Sequence, residues 1–411
     1  MRIEKALAVP TWGGYFNDDL EAIRDGARTD GFLYADPPRA PGFTAIRQPS
    51  EAASIILLLD NGLSVSGDAL SVSYAAAGGR HGLFSFQRQK PYLEQVCAFL
   101  EGRSIEDFGQ MCTDLEGQEF SPGLHRPAVF YGASQALLQA VALLHKTSCA
   151  EVLSSHFGLK NPDRRIPIGI QCGAERYNGV DKAILKRADA LPHGLINDIK
   201  KTVGVEGELL HAYVSWIAAR IRKYGAEDYT PAIHLDLYGT LGQVFGNDPG
   251  RIAAYLSELH LCAAPFQLHI ETPVLMDSRQ AQMDLFGQLR QALAKLGTPV
   301  RLIADEWANN LEDIRAFIQA GVTDMIQVKT PDMGALTHIG QAVLECRAGG
   351  VGPILGGSCV DTDQAARIMA HLALATRPDW ILARPGMGID EGLQIVHNEM
   401  VRTLALIQPS G

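Results

Sequence analysis

From residue 166 onward the chain repeats one unit, and that repeat limits the folds open to it. Short strand-forming runs, "IPIGIQC", "AIHLDLYG", "QLHIET", "VRLIADE", "DMIQVKT", "VGPILGG" and "WILARPG", alternate with helical stretches such as "DSRQAQMDLFGQLRQALAKLG" and "NLEDIRAFIQAG". Strands separated by helices of that length form βαβ units and a parallel sheet. Seven such runs in roughly 250 residues suit a closed α/β barrel. An open, doubly wound sheet is the alternative, but no GxGxxG follows the first run to support dinucleotide binding.

The first part of the chain reads differently. "SIILLLDNGLSVSGDALSV" predicts two strands joined at Asp60-Asn61-Gly62, and "NDDLEAIRDGA" and "VFYGASQALLQAVALLHKTSC" predict helices. This is an α+β pattern. The polar break "FGLKNPDRR" divides the two, giving an N-terminal domain over 1–160 and a barrel over 161–411. A chain of 411 residues has room for both.

Composition removes several function classes. The net charge of −10 and the lack of a basic stripe argue against a nucleic-acid partner. "IILLL" is too short to span a membrane, and "MRIEKALAVP" lacks the apolar stretch of a secretory signal. Seven cysteines without CxxC or zinc-like spacing point to reduced thiols and a cytoplasmic setting.

Asp236, Glu271 and Asp305 fall at the ends of three successive runs, 35 and 34 residues apart, about one βα unit each. The carboxyl ends of barrel strands are where such folds build their sites. Any one acid there could cap the next helix or pair with an arginine. Three in register, with Lys329 on the following strand, point to a hard cation such as Mg²⁺. Gln327 and Lys329 are two apart and so share one side of their strand. A dication nearby disfavours a protonated lysine, which fits Lys329 as a general base.

The blocks "ADALPHGLIND", "HLDLYGT", "IETP", "ADEW", "QVKTPDMG", "GGSC" and "PGMGIDEG", with "GFTAIRQ" and "AAGGRHGLF" earlier, resemble those of methylaspartate ammonia-lyase, an enolase-superfamily family, over nearly the whole chain. The resemblance implies an enolase-like fold, in which the N-terminal domain caps the barrel and shuts water from its mouth. It implies elimination of ammonia from threo-3-methylaspartate, or a related substituted aspartate, to mesaconate through a metal-stabilised enolate. Asp236, Glu271 and Asp305 become Mg²⁺ ligands, with Mn²⁺ as a substitute and a monovalent cation such as K⁺ as a helper. Lys329 becomes the base for the (S)-configured C3 proton. His193 serves the opposite face, although "LPH" on its own reads as the start of a helix or a surface position. Gln171, Gln327, Ser358 and the Cys359 backbone hold the substrate carboxylates, and the protein is a homodimer acting on a small amino-dicarboxylate.

The pocket walls depart from the family pattern. Ser73 stands where a glutamine is usual, Gly169 for a phenylalanine, Ile354 for a tyrosine, Ser358 for a threonine and Cys172 for a serine, while Leu382 keeps the apolar residue expected beside the C3 substituent. The small residues leave room for a larger substrate unless something else fills the space. Racemisation or dehydration of another acid on the same machinery is the rival reaction, and a non-catalytic ligand-binding barrel is the rival outside catalysis.

Overall fold

The structure, a computed structural model of the 411-residue chain, describes residues 1–121, 125–173, 175–194, 196–384, 386 and 389–407. Leu195, Pro385, Met387 and Gly388 of the quoted blocks lie outside these.

The N-terminal part is built on an antiparallel sheet. Strand β1 (Ile3–Asp18) is followed by a small ribbon of β2 (Thr29–Asp30) and β3 (Leu33–Tyr34), then by β4 (Arg47–Leu59) and β5 (Ser64–Leu70), and the sheet order is β1-β4-β5. Alternation sets its faces: Ile55, Leu57 and Leu59 are buried while Leu58 is exposed. The predicted hairpin forms, with Gly62 at φ +81 in the left-handed region its turn requires.

Helix Arg126–His145 crosses this sheet. It is long and apolar enough, by length and composition, to cross a bilayer, yet 78% of that stretch is buried inside the fold. Its approach depends on two glycines. A β carbon at Gly67 would lie 2.1 Å from the Gly132 carbonyl oxygen, and one at Gly132 would lie 2.6 Å from the Ala69 nitrogen. On its other side Ser134 Oγ accepts the Leu336 N–H at 3.1 Å, so the helix also touches the second half of the chain.

That half is a closed parallel barrel of eight strands: β6 (Ile168–Gly169), β7 (Ala190–His193), β8 (Ala232–Asp236), β9 (Leu268–Glu271), β10 (Arg301–Ala304), β11 (Met325–Val328), β12 (Gly352–Leu355) and β13 (Trp380–Leu382). The barrel strand absent from the sequence reading is β7, as β1, β2 and β3 are from its account of the N-terminal part. Pro192 inside β7 removes a ladder donor and argues against a strand, which is why "LPH" read as the start of a helix. His193 instead ends a barrel strand and is 2% exposed. The predicted helix at 311 is present as Leu311–Ala320; Asn310 caps its start and Gly321, at φ +61, its end.

Ala190, Ile303, Met325, Ile354 and Trp380 pack together inside the barrel. His269 and His234 rest against the Trp380 ring, with centroids 5.2 and 5.7 Å away.

Candidate active site

Strand register brings the acids together. Asp236 pairs directly with Glu271 across β8 and β9, and Glu271 with Ile303 on β10, so Asp305 stands two residues further toward the mouth. All three are at most 1% exposed, and each offers an oxygen within 4.8 Å of the others. Asp236 Oδ2 and Glu271 Oε1 have no hydrogen-bond partner among the described residues. Unpaired buried oxygens are costly. Burial lifts the Asp236 carboxyl well above its ordinary range, and Glu271, Glu306 and Asp305 push the same way. Burial raises Glu271 as well, against its hydrogen bond with His234.

Five buried carboxylates (Asp236, Glu271, Asp305, Glu306 and Asp332) face two cations, buried Arg80 and part-buried Lys329, which leaves a formal surplus of three negative charges. Hard oxygen donors with unspent lone pairs and surplus negative charge fit Mg²⁺. The nitrogens of His193 and His234 also lie near Glu271, but His234 Nε2 is hydrogen-bonded to Glu271 Oε2 at 2.7 Å, and a hard cation favours the all-oxygen set.

Lys329 follows β11 directly, and its Nζ lies 2.8 Å from Asp305 Oδ2. Burial pushes its ammonium toward the free amine, but Asp305, Glu271 and Glu306 outweigh burial and Arg80, leaving its pKa raised. The depression expected from the sequence is therefore not produced by the chain's own groups. Asp305 responds in the opposite sense: despite burial, Lys329 and Arg80 hold it below the ordinary range.

His193 stands on the opposite wall. In the ring, β12, β13 and β6 separate β11 from β7 one way, and β10, β9 and β8 the other. Its backbone is left-handed, at φ +56, an uncommon state for histidine that tends to mark sites. Burial, aided by Lys329, drives the imidazole pKa down to about 3, so the ring is neutral. Nε2 lies 3.4 Å from Glu271 Oε2 and 3.8 Å from Asp236 Oδ2, and neither ring nitrogen has a hydrogen-bond partner among the described residues.

Ser73, Gln171, His193, Asp305, Lys329, Ser358, Cys359 and Leu382 line one cavity at the barrel mouth, with Val72, Tyr74 and Arg80 reaching in from the N-terminal domain. Ser73 Oγ donates to the Phe16 carbonyl at 2.9 Å and is spent within its own domain. Gln327 lies beneath: its Nε2 donates to Glu271 Oε2 at 2.9 Å.

Two expected pocket positions need correction. Ile354 packs inside the barrel with Ile303, Met325 and Trp380, and it does not line the cavity. The space at Gly169 is taken: a β carbon there would sit 2.9 Å from Trp380 Cδ1. The ring missing at 169 is replaced by one from the neighbouring strand.

Sequence reasoning missed Arg80 and Glu306. Arg80 Nη2 bonds Asp305 Oδ1 at 2.8 Å, its Nη1 Glu306 Oε1 at 3.3 Å, and its Nε lies 3.3 Å from Asp332 Oδ2. Arg80 sits inside the block "AAGGRHGLF", so only the family pattern offered a signal. Trp380 and His234, each two residues before a noted site residue, were reachable by strand alternation.

A capped parallel barrel, with carboxylates on successive strands and Lys329 and His193 on opposite walls, defines an enolase-like fold. The sequence patterns of the methylaspartate ammonia-lyase N-terminus and C-terminus match residues 1–158 and 161–409. The chain belongs to the methylaspartate ammonia-lyase family and is an ammonia-lyase-type enzyme. It is similar to methylaspartate ammonia-lyase 2 of Carboxydothermus hydrogenoformans, at 44% identity over 100% of both chains. Among solved structures it resembles the Citrobacter amalonaticus methylaspartate ammonia-lyase containing (2S,3S)-3-methylaspartic acid, with a TM-score of 0.95, 41% identity and coverage of 99% and 100%. It also resembles the Mg complex of Clostridium tetanomorphum β-methylaspartase, with a TM-score of 0.91, 39% identity and 99% of each chain covered.

Proposed function

We propose that this chain eliminates ammonia from threo-3-methylaspartate to give mesaconate, with Mg²⁺ held by Asp236, Glu271 and Asp305. The carrying observation is that Lys329 and His193 line one cavity from opposite strands of the barrel, beside Asp305, on which Asp236 and Glu271 converge. A proton beside a carboxylate is hard to remove because negative charge accumulates on that group; Mg²⁺, when bound, supplies the charge that stabilises it.

Lys329 takes the C3 proton of the (S)-configured substrate. It needs its free amine to do so; burial favours that form and Asp305 opposes it. His193, neutral at working pH, accepts the proton of the other C3 configuration. Gln171, Ser358 and Cys359 orient the carboxylates from the cavity wall, and Leu382 packs beside the C3 methyl. Val72, Tyr74 and Arg80 close the mouth and exclude water.

The proposal extends to Mn²⁺ as a substitute metal, a monovalent helper such as K⁺, and a homodimer, all supported by the family resemblance. A cytoplasmic setting is supported by the seven free cysteines. The test is direct. The chain with Mg²⁺ and threo-3-methylaspartate should develop the ultraviolet absorbance of the unsaturated acid and release ammonia in equal amount. Absorbance that stays flat, with substrate unconsumed, overturns the reading.

A further inference from the structure

Residues 356–361, which follow β12, carry Ser358 and Cys359 to the cavity wall, and the loop is gripped from behind by a group that plays no part in the chemistry above. Arg384, two residues past β13, is 1% exposed and does not line the cavity. Its Nε lies 3.2 Å from Asp361 Oδ2. That same oxygen accepts the Ser358 N–H at 2.9 Å, and the other, Oδ1, accepts the Tyr131 hydroxyl at 3.0 Å. Arg384 Nη1 lies 3.5 Å from the hydroxyl of Thr330, the residue after Lys329. The guanidinium presses against bare backbone: a β carbon at Gly357 would fall 1.2 Å from Nη1. Gly357 also sits at φ +101, so glycine is required there on both counts.

We propose that Arg384 is a positioning residue for the substrate carboxylate, acting through Asp361 on the Ser358–Cys359 edge; the inference rests on reading the cavity as a dicarboxylate site. Asp361 is fully buried, and its only ion-pair partner among the described residues is Arg384. Held by that partner, the carboxylate keeps the Ser358 N–H turned inward and fixes how the Ser358 and Cys359 side chains meet the cavity. Without the guanidinium the buried carboxylate has no countercharge, so it must draw in water or a proton and release the Ser358 N–H. Lysine could restore the charge but not the planar fork that reaches both Asp361 and Thr330. Displacing a binding group by about 1 Å is enough to cost roughly 10²-fold.

The experiment compares the wild type with Arg384→Met, Arg384→Lys and Tyr131→Phe, measuring kcat and KM for methylaspartate and calorimetric binding of mesaconate with Mg²⁺ present. Arg384→Met should raise KM and the mesaconate Kd by about tenfold or more, with kcat falling less. Arg384→Lys should fall between the two. Tyr131→Phe, which removes one bond to Asp361 at almost constant volume, should shift KM the same way by less. A purely structural arginine would lower the thermal midpoint and leave KM in place. If Arg384→Met does not fold, the other two variants decide. KM and Kd within about twofold of wild type in the folded variants overturn the inference. A wild type inert toward methylaspartate and unable to bind mesaconate overturns the functional reading beneath it instead.

Discussion

The Ser73 backbone N–H donates to Ser358 Oγ at 2.8 Å, joining two buried positions 285 residues apart. A second bond runs beside it, from the Gly14 N–H to the Val360 carbonyl at 2.8 Å. The loop that lines the cavity is therefore held by the N-terminal domain as well as by the barrel. Ser358→Ala leaves the Ser73 N–H buried and unpaired, at a cost of about 1–3 kcal/mol. Denaturant unfolding should register that loss, and Ser358→Thr, which keeps the acceptor, should recover most of it. Equal stability in all three proteins would remove the bond from the account.

Lys329→Ala should lower elimination and exchange of the (S)-configured C3 proton with solvent deuterium by about 10²–10⁴-fold, the usual contribution of a positioned base. His193→Ala should mainly affect the opposite C3 configuration. Near-wild-type exchange in Lys329→Ala, followed by NMR in deuterated buffer, would refute its role.

Mg²⁺ that binds only the folded chain should raise its stability by about 2.7 kcal/mol at a hundred times its Kd. The thermal midpoint should rise with Mg²⁺ and fall back on chelation. Asp305→Asn should lose most of this response while remaining folded in metal-free buffer. A midpoint indifferent to Mg²⁺ would separate the acid cluster from metal binding.

Burial holds His125 and His269 neutral in the folded chain, with pKa values pushed down to about 4 from the ordinary 6.5. Below about pH 6.5 the unfolded chain takes up protons that the folded chain refuses, so stability falls as pH drops toward 4 and is retained above 6.5. Each histidine contributes a slope of about 1.4 kcal/mol per pH unit inside that window. His269→Gln should flatten the pH dependence by that amount; an unchanged slope would contradict the assignment.

Trp380 makes the Gly169 position smaller than its sequence suggests. Trp380→Ala should cost about 3–5 kcal/mol and should raise relative kcat/KM for aspartates with C3 groups larger than methyl. Gly169→Phe should be poorly tolerated alone, because Trp380 Cδ1 lies 2.9 Å from the would-be β carbon, and better tolerated in the Trp380→Ala background. Additive effects in the double variant would mean the two positions do not share space.

The acids were legible because the βα repeat fixes where each strand ends, and Asp236, Glu271 and Asp305 keep that period. His193 was legible only through the family resemblance, since Pro192 hides the strand it ends. Arg80 lies 225 residues from Asp305, and no local pattern announces that pairing. The filling of the space beside Gly169 by Trp380 was hidden for another reason: the ring comes from the adjacent strand β13, and a position read alone shows only its own loss. Lys329 likewise shows that a charge's state belongs to its neighbours, here above all Asp305.

Helix Arg126–His145 has no face to spare: its glycine side is locked into the β5 edge of the sheet, and Tyr131 and Ser134 reach barrel residues. Lifting the N-terminal domain away as a rigid lid would strip apolar surface from that helix, so hinge opening carries the cost of exposing it. The same geometry makes the two halves one cooperative unit, which should melt in a single calorimetric transition despite carrying two separate family patterns.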